Sequence, residues 1–300
     1  MKIGLALGGG GIAGCAHLGV LMALEESGFD IHCVTGTSSG ALIAALYAYG
    51  YSTRQMLGMV SEITPKMLDY DIAAVFRKLL RGNKVKLQGL AKGKKLYDFV
   101  FSKTGGGTGA DAQRPAAFVA ADLKGVKQVV FATQPLSGEL PGREQINDFR
   151  LADAVMASCS IPLLFQPYRF GERLLVDGGV LNNCPVEEAR ALGADKIIAV
   201  DLTNIEHQET SYDSMINMLG RIVSIQLSMQ VKQTCAQADV LLQPDGAGRV
   251  GMLDFRQTTS CIEDGYRYAK NSMGRIREAL IPDLELPAMA EPMVPSLVLH

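Results

Sequence analysis

Gly36-Thr37-Ser38-Ser39-Gly40 has the GxSxG spacing in which the central serine can act as a nucleophile. Ile31–Thr35 before it reads as a strand and Ser39–Tyr49 after it as a helix, the context this motif needs. In such a turn the central residue is strained while neighbouring backbone passes close by. Small residues two positions to either side relieve the clash. Ser38 Oγ then projects at the head of the helix, where unpaired N–H groups and the positive end of the dipole favour developing negative charge. The competing reading is a Ser/Gly turn that only caps a helix.

A serine hydroxyl is a poor nucleophile until a base takes its proton. The chain has four histidines, His17, His32, His207 and His300. A triad would need one on a loop after a late strand; His207 is the possible case but has no strand-end setting, so the ordinary structural reading is favoured for all four. A carboxylate is the other option. Leu174-Leu175-Val176-Asp177-Gly178-Gly179 places an acid at the end of an apolar strand, where α/β sheets gather their sites. Taken alone, Asp-Gly between apolar runs is also a good hairpin signal, and the hairpin is then the favoured reading.

The run Gly8-Gly9-Gly10-Gly11-Ile12-Ala13-Gly14 follows a strand, Ile3 to Leu7, and opens a helix. Gly9, Gly11 and Gly14 satisfy GxGxxG, the dinucleotide-binding spacing. That reading needs an acid at the end of the second strand to hold a ribose, and the strand ends at Thr35-Gly36. The same glycines can instead aim backbone N–H groups at the oxyanion of a tetrahedral intermediate, at about 3 kcal/mol per donor. This second reading uses the glycine run and the serine turn together.

The elements that must position these residues alternate along the chain. Further strands are expected at Ala117–Ala121, Gln128–Ala132, Arg173–Val176, Lys196–Asp201 and Val240–Gln243. Helices are expected at Cys15–Ser27, Leu151–Cys159, Val186–Leu192, Ser211–Ala236 and Ser260–Leu280. Leu123-Lys124-Gly125 looks like a hairpin connection, so the expected architecture is an α/β fold: a mixed sheet covered by helices. Thr104 to Ala110 reads as a flexible glycine-rich loop, residues 1–280 as one domain and 281–300 as a Pro-rich tail.

Composition narrows the classes. With 48% hydrophobic and 20% charged residues in 300, disorder across the whole chain is excluded. A net charge of −2 gives no global reason to expect nucleic acid. The six cysteines include no CxxC pair, so no zinc site is expected. The apolar stretch at the start is too short for a signal-peptide core, and the expected location is cytoplasmic.

In order and separation, the glycine run, Gly36-Thr37-Ser38-Ser39-Gly40 and Asp177-Gly178-Gly179 resemble the three motifs of the patatin-like phospholipase family, in the bacterial branch related to neuropathy target esterase. Ala157-Ser158-Cys159-Ser160-Ile161-Pro162 resembles its Ala-Ser-x-x-Ile-Pro segment, and the likeness extends over about residues 1–270. The resemblance implies a three-layer, mainly parallel mixed sheet with helices on both faces. It also implies a Ser38–Asp177 dyad without histidine, an oxyanion hole from the N–H groups of Gly9, Gly10 and Gly11, a lipid or fatty-acyl ester substrate, and no metal or organic cofactor. A transacylase would use the same dyad. Ala13 stands where the family usually has Arg or Lys, which motivates the alternative of a nucleotide- or partner-binding regulatory protein on a degenerate scaffold.

Two segments bear on how a lipid would be met. Ile72 to Tyr97 has no acid and eight bases, Arg77, Lys78, Arg81, Lys84, Lys86, Lys92, Lys94 and Lys95. It reads either as a peripheral surface for anionic lipid, about 1 kcal/mol per cation, or as a solvated helix and loop, the commoner case. The Met-rich stripe over Ser211–Ala236 suits an acyl groove, although core packing or a subunit interface is the commoner use.

Overall fold

Alternate residues of the first strand feed two separate cores. Leu5 and Leu7 pack into the larger and Ala6 into the smaller, as the period-2 geometry of a strand buried on both faces requires. The computed structural model describes residues 1–69, 91–138, 140–203, 215–246 and 250–280.

In chain order the elements are β1 (Ile3–Leu7), α1 (Ala16–Glu26), β2 (Ile31–Thr37), α2 (Ser39–Tyr49), α3 (Thr53–Met59), α4 (Lys94–Lys103), β3 (Ala116–Asp122), β4 (Lys127–Ala132) and β5 (Arg143–Ile146). Then come α5 (Leu151–Ser158), β6 (Tyr168–Phe170), β7 (Arg173–Asp177), α6 (Val186–Ala191), β8 (Lys196–Val200), α7 (Met215–Cys235), β9 (Val240–Leu242), α8 (Thr258–Asn271) and α9 (Met273–Leu280). The strands form one sheet in the order β5-β4-β3-β2-β1-β8-β9, with β7 pairing β3 and β6 pairing β7. Pairs β1–β2, β1–β8, β2–β3, β8–β9 and β4–β5 are parallel, and β3–β4, β3–β7 and β6–β7 antiparallel. Residues of α1, α2, α5 and α8 pack into the larger core and residues of α6 and α7 into the smaller, giving the expected three layers.

The register around β3 creates the site. One edge of β3 is taken by β4 throughout, so β2 and β7 share the other. Thr37, the last residue of β2, pairs with Val119, and the next β3 residue, Ala120, pairs with Asp177, the last of β7. The ends of two strands separated by more than a hundred residues therefore meet head to head.

Four expectations change. Asp177-Gly178 is not a hairpin turn: the chain enters a 3-10 turn at Gly178–Val180, because Asp177 caps it by accepting from Gly179 N–H at 2.8 Å. Residues 104–110 form a turn closed by Gly107 N–H to Thr104 O (2.8 Å). It is tied down by Leu151 N–H to Gly107 O (3.0 Å) and Gly109 N–H to Phe149 O (2.9 Å). The helix expected over 260–280 is two, joined at Ser272. Met218, Ile222, Ile225 and Met229 of α7 are exposed rather than packed in the core. Strands β5 and β6 and helices α3 and α4 are additional. The basic residues 77–86, His207, His300 and the tail 281–300 lie outside the described residues.

All six cysteines are free and buried, and burial lifts Cys15 and Cys33 to about 12 and Cys261 to about 11. The folded protein is therefore expected to react with Ellman's reagent at a small fraction of the denatured rate, with all six thiols titrating in denaturant. Fast modification of any one thiol in the native state would contradict its placement.

Candidate active site

Ser38 sits between β2 and α2 with φ 55° and ψ −124°, a left-handed conformation that costs a non-glycine residue about 1–3 kcal/mol. The surroundings fix it there. Its N–H donates to Ser158 Oγ (2.9 Å), which itself donates to Val119 O (2.6 Å), and its carbonyl accepts from Cys159 Sγ (3.1 Å) and Ala41 N–H (2.9 Å). A Cβ on Gly36 would lie 2.5 Å from Gly40 C and 2.6 Å from Ala41 N, so the turn closes only because that side chain is missing.

Asp177 is buried beside it, its N–H held by Ser160 O at 2.9 Å. One carboxylate oxygen accepts from Gly179 N–H, while Oδ2 is buried and makes no close hydrogen bond among the described residues. Burial raises the carboxyl to about 6, opposed by the Ser38 hydroxyl and the Gly179 N–H, which both favour the ionised form. The acid thus carries an unspent lone pair next to a strained serine, at a pKa suited to exchanging a proton near neutrality.

The glycine loop lies against the pair: a Cβ on Gly9 would be 3.1 Å from Ser38 Cβ. Its N–H groups are committed unequally. Gly8 N–H donates to Val200 O (2.9 Å), Gly9 N–H to Asn183 O (3.1 Å) and Gly10 N–H to Ser39 Oγ (3.1 Å). Gly11, at φ 61°, makes none of these tertiary bonds and lines the pocket over Ser38. His17 supports the loop from below, Nε2 lying 2.7 Å from Gly8 O. Burial lowers its pKa to about 4, so it is neutral and structural, as the sequence suggests.

A second polar cluster anchors the loop after Asp177. Glu188 is fully buried and accepts from Gln128 Nε2 (2.5 Å) and Asn182 Nδ2 (3.1 Å), with Arg143 Nε at 3.3 Å. Asn182 O in turn accepts from Thr37 Oγ1 at 2.8 Å, tying this loop to the residue before Ser38. Ser158, Asn182, Asn183 and Glu188 lie within the stretches of motif likeness, yet nothing in their spacing assigns them these partners.

The pocket beside Ser38 has an empty volume of about 740 Å³, part of it open to solvent. Ile12, Leu42, Ile43, Ile63, Leu96 and Phe165 are among its walls, and among the described residues no charged side chain lines it. Ala13 is buried in the main core. Among the described residues no cluster of His, Cys, Asp and Glu is arranged to hold a metal, and no helix is long and apolar enough to cross a membrane.

A strained serine and a buried aspartate are brought together by strand register beside a glycine loop, on a mixed sheet. The patatin-like phospholipase family matches residues 5–190, and the chain belongs to that family. It is 30% identical over 208 residues to an uncharacterised NTE family protein of Mycobacterium tuberculosis H37Rv, covering 68% of this chain and 50% of that one. It is 35% identical over 199 residues to the protein YqhO of Bacillus subtilis (62% and 66% covered). With the lysophospholipase NTE1 of Debaryomyces hansenii it shares 28% over 209 residues, 68% of this chain but 12% of that protein. The chain spans about half the length of the mycobacterial relatives it matches. Among solved structures, VipD of Legionella pneumophila aligns at a TM-score of 0.48 and 14% identity (91% and 66% covered). Human GIVD cytosolic phospholipase A2 aligns at 0.48 and 13% (93% and 58% covered).

Proposed function

We propose that the protein is a serine lipid acyl hydrolase acting on carboxylic esters of the phospholipase A or lysophospholipase type. Ser38 Oγ attacks the ester carbonyl carbon as its proton passes to Asp177 Oδ2, and the carbonyl π pair moves onto oxygen. The glycine loop of Gly9, Gly10 and Gly11 faces that oxyanion, with Gly11 N–H the directly available donor and Gly9 N–H holding the loop on Asn183. Collapse breaks the ester C–O bond, and the departing alcohol takes the proton from Asp177. Water then repeats the sequence on the acyl-enzyme; an alcohol in its place would make the same site a transacylase. The apolar pocket receives the acyl chain, each buried methylene contributing about 0.8 kcal/mol.

One observation carries this reading: the unpaired oxygen of a buried carboxylate beside a strained serine at the mouth of an apolar pocket. The likeness to the Debaryomyces hansenii lysophospholipase supports the substrate class. Intact-mass labelling with an alkyl fluorophosphonate tests it. One adduct is expected on the wild type, none on Ser38→Ala, and slow labelling on Asp177→Asn. Labelling of Ser38→Ala at the wild-type rate would remove Ser38 from its role.

The base must be ionised to act, so kcat/KM is expected to fall tenfold per pH unit below an acid limb near 6. A profile flat from pH 7 to pH 4.5 would exclude Asp177 as the proton acceptor.

A further inference from the structure

The glycine loop spends its N–H groups in an unexpected way. Gly10 N–H donates to Ser39 Oγ at 3.1 Å. Ser39 is the first residue of α2 and lines the apolar pocket next to Ser38. Its hydroxyl accepts from Gly10 and donates to no carbonyl or carboxylate among the described residues. The side chain is also seated on its other flank. A Cβ on Gly14 would overlap Ser39 Oγ and Cβ, so the bare glycine provides the space this side chain occupies. A hydroxyl oxygen that accepts one hydrogen bond becomes a stronger donor through its own proton.

We infer that Ser39 is a further catalytic residue: its hydroxyl relays the Gly10 N–H to the substrate, donating to the oxyanion beside Gly11 N–H while still accepting from Gly10. The inference rests on the proposed ester hydrolysis at Ser38. No covalent bond to Ser39 forms or breaks; its O–H proton stays on Oγ and only re-aims. The relay recovers a loop donor that otherwise ends on a side chain. It also gives this chain a side-chain oxyanion donor that spacing alone does not reveal, because the residue after the nucleophile is unrestricted in GxSxG.

The opposite possibility is concrete. If Ser39 merely occupied Gly10 N–H, removing its hydroxyl would release that donor and speed the reaction. The test is steady-state hydrolysis of a p-nitrophenyl ester and its thiono analogue by full-length wild type, Ser39→Ala, Ser39→Cys and Ser38→Ala. Sulfur accepts hydrogen bonds weakly, so the oxo-to-thiono rate ratio reports oxyanion donation, which a purely structural role would not move.

Ser39→Ala is expected to lower kcat about 100-fold with KM little changed, the usual effect of losing one oxyanion donor. Its oxo-to-thiono ratio should shrink, and Ser39→Cys, with a weak S–H donor, should fall between. If Ser39→Ala melts early, Ser39→Cys decides by the same two readouts. Unchanged or faster turnover, or a lowered rate with the wild-type ratio, would overturn the relay while leaving Ser38 as the nucleophile. Wild-type rates in Ser38→Ala would instead remove the ester-hydrolysis reading on which the relay rests, and the relay with it.

Discussion

Asp177→Asn is expected to lose about 10³–10⁴ in kcat and to gain stability at the same time. The two effects have one cause. In the folded protein the carboxyl holds its proton up to about pH 6, because burial penalises the anion more than the Ser38 hydroxyl and Gly179 N–H relieve it. Unfolded, it releases that proton near its ordinary value of 3.8. Between these values the folded state binds more protons, so the stability present below pH 4 is lost as pH rises through 6. The difference between 3.8 and about 6 corresponds to a stability change on the order of 3 kcal/mol. Asparagine keeps the acceptor for Gly179 N–H, never ionises, and can turn its amide N–H toward Ser38 Oγ. The variant should therefore melt several degrees above wild type at pH 8, with the gap closing below pH 4. Parallel thermal melts and ester assays at pH 4, 6 and 8 decide the matter. An inactive variant that is also less stable at pH 8 would mean that the buried carboxylate is a structural anchor. An active one would dismiss it as the base.

How much of this was legible beforehand follows from how each feature is encoded. Ile3–Leu7 and Ser39–Tyr49 were predicted to the residue, because a short apolar run bounded by glycine and a helix opening at a strained turn are local signals. The three motifs also located the serine, the acid and the glycine loop. Their meeting was not local. It depends on Thr37 and Asp177 taking successive positions along one edge of β3, a register that no segment of the chain specifies by itself. The same holds for the hairpin expected at Asp177-Gly178. An Asp-Gly pair suits a tight turn, but Gly178 is needed for another reason: a Cβ there would lie 2.6 Å from Val119 C. Strand β6 was missed because three residues, Tyr168–Phe170, carry too little periodicity to read. In helix α4 the charge of Lys94 and Lys95 masks the apolar periodicity of Leu96, Phe99 and Val100 on its buried face. The commitments of Gly9 and Gly10 N–H were invisible because one acceptor, Asn183, lies 174 residues away and the other is the unrestricted position of the serine motif.

Glycine-to-alanine substitution in two helices is expected to give opposite signs for reasons that propensity alone cannot supply. Gly58 lies in α3, is exposed, and has nothing within 4 Å of an added Cβ. Alanine there should stabilise the protein by about 0.5–1 kcal/mol, because it restricts the unfolded chain and suits a helix. Gly40 lies in the first turn of α2, and its Cβ would overlap Leu7 O and stand 2.7 Å from Gly8 O, backbone atoms of β1 and the glycine loop. Those atoms cannot move by a rotamer change. Leu7 belongs to a strand paired on both edges, and Gly8 is held through its N–H by Val200 and through its carbonyl by His17. Gly40→Ala should therefore cost about 3 kcal/mol or more, the upper range for overpacking, against a helix-propensity gain of about 1 kcal/mol. Whatever relaxation occurs must push the glycine loop away from Ser38, so fluorophosphonate labelling should slow more than the loss of stability accounts for. Melting curves of both variants, with labelling rates measured well below each midpoint, separate the effects. A Gly40→Ala protein as stable and reactive as wild type would show that α2 need not approach the loop so closely. Gly40, two residues after Ser38, would then serve the turn alone, and not the spacing between Ser38 and the glycine loop.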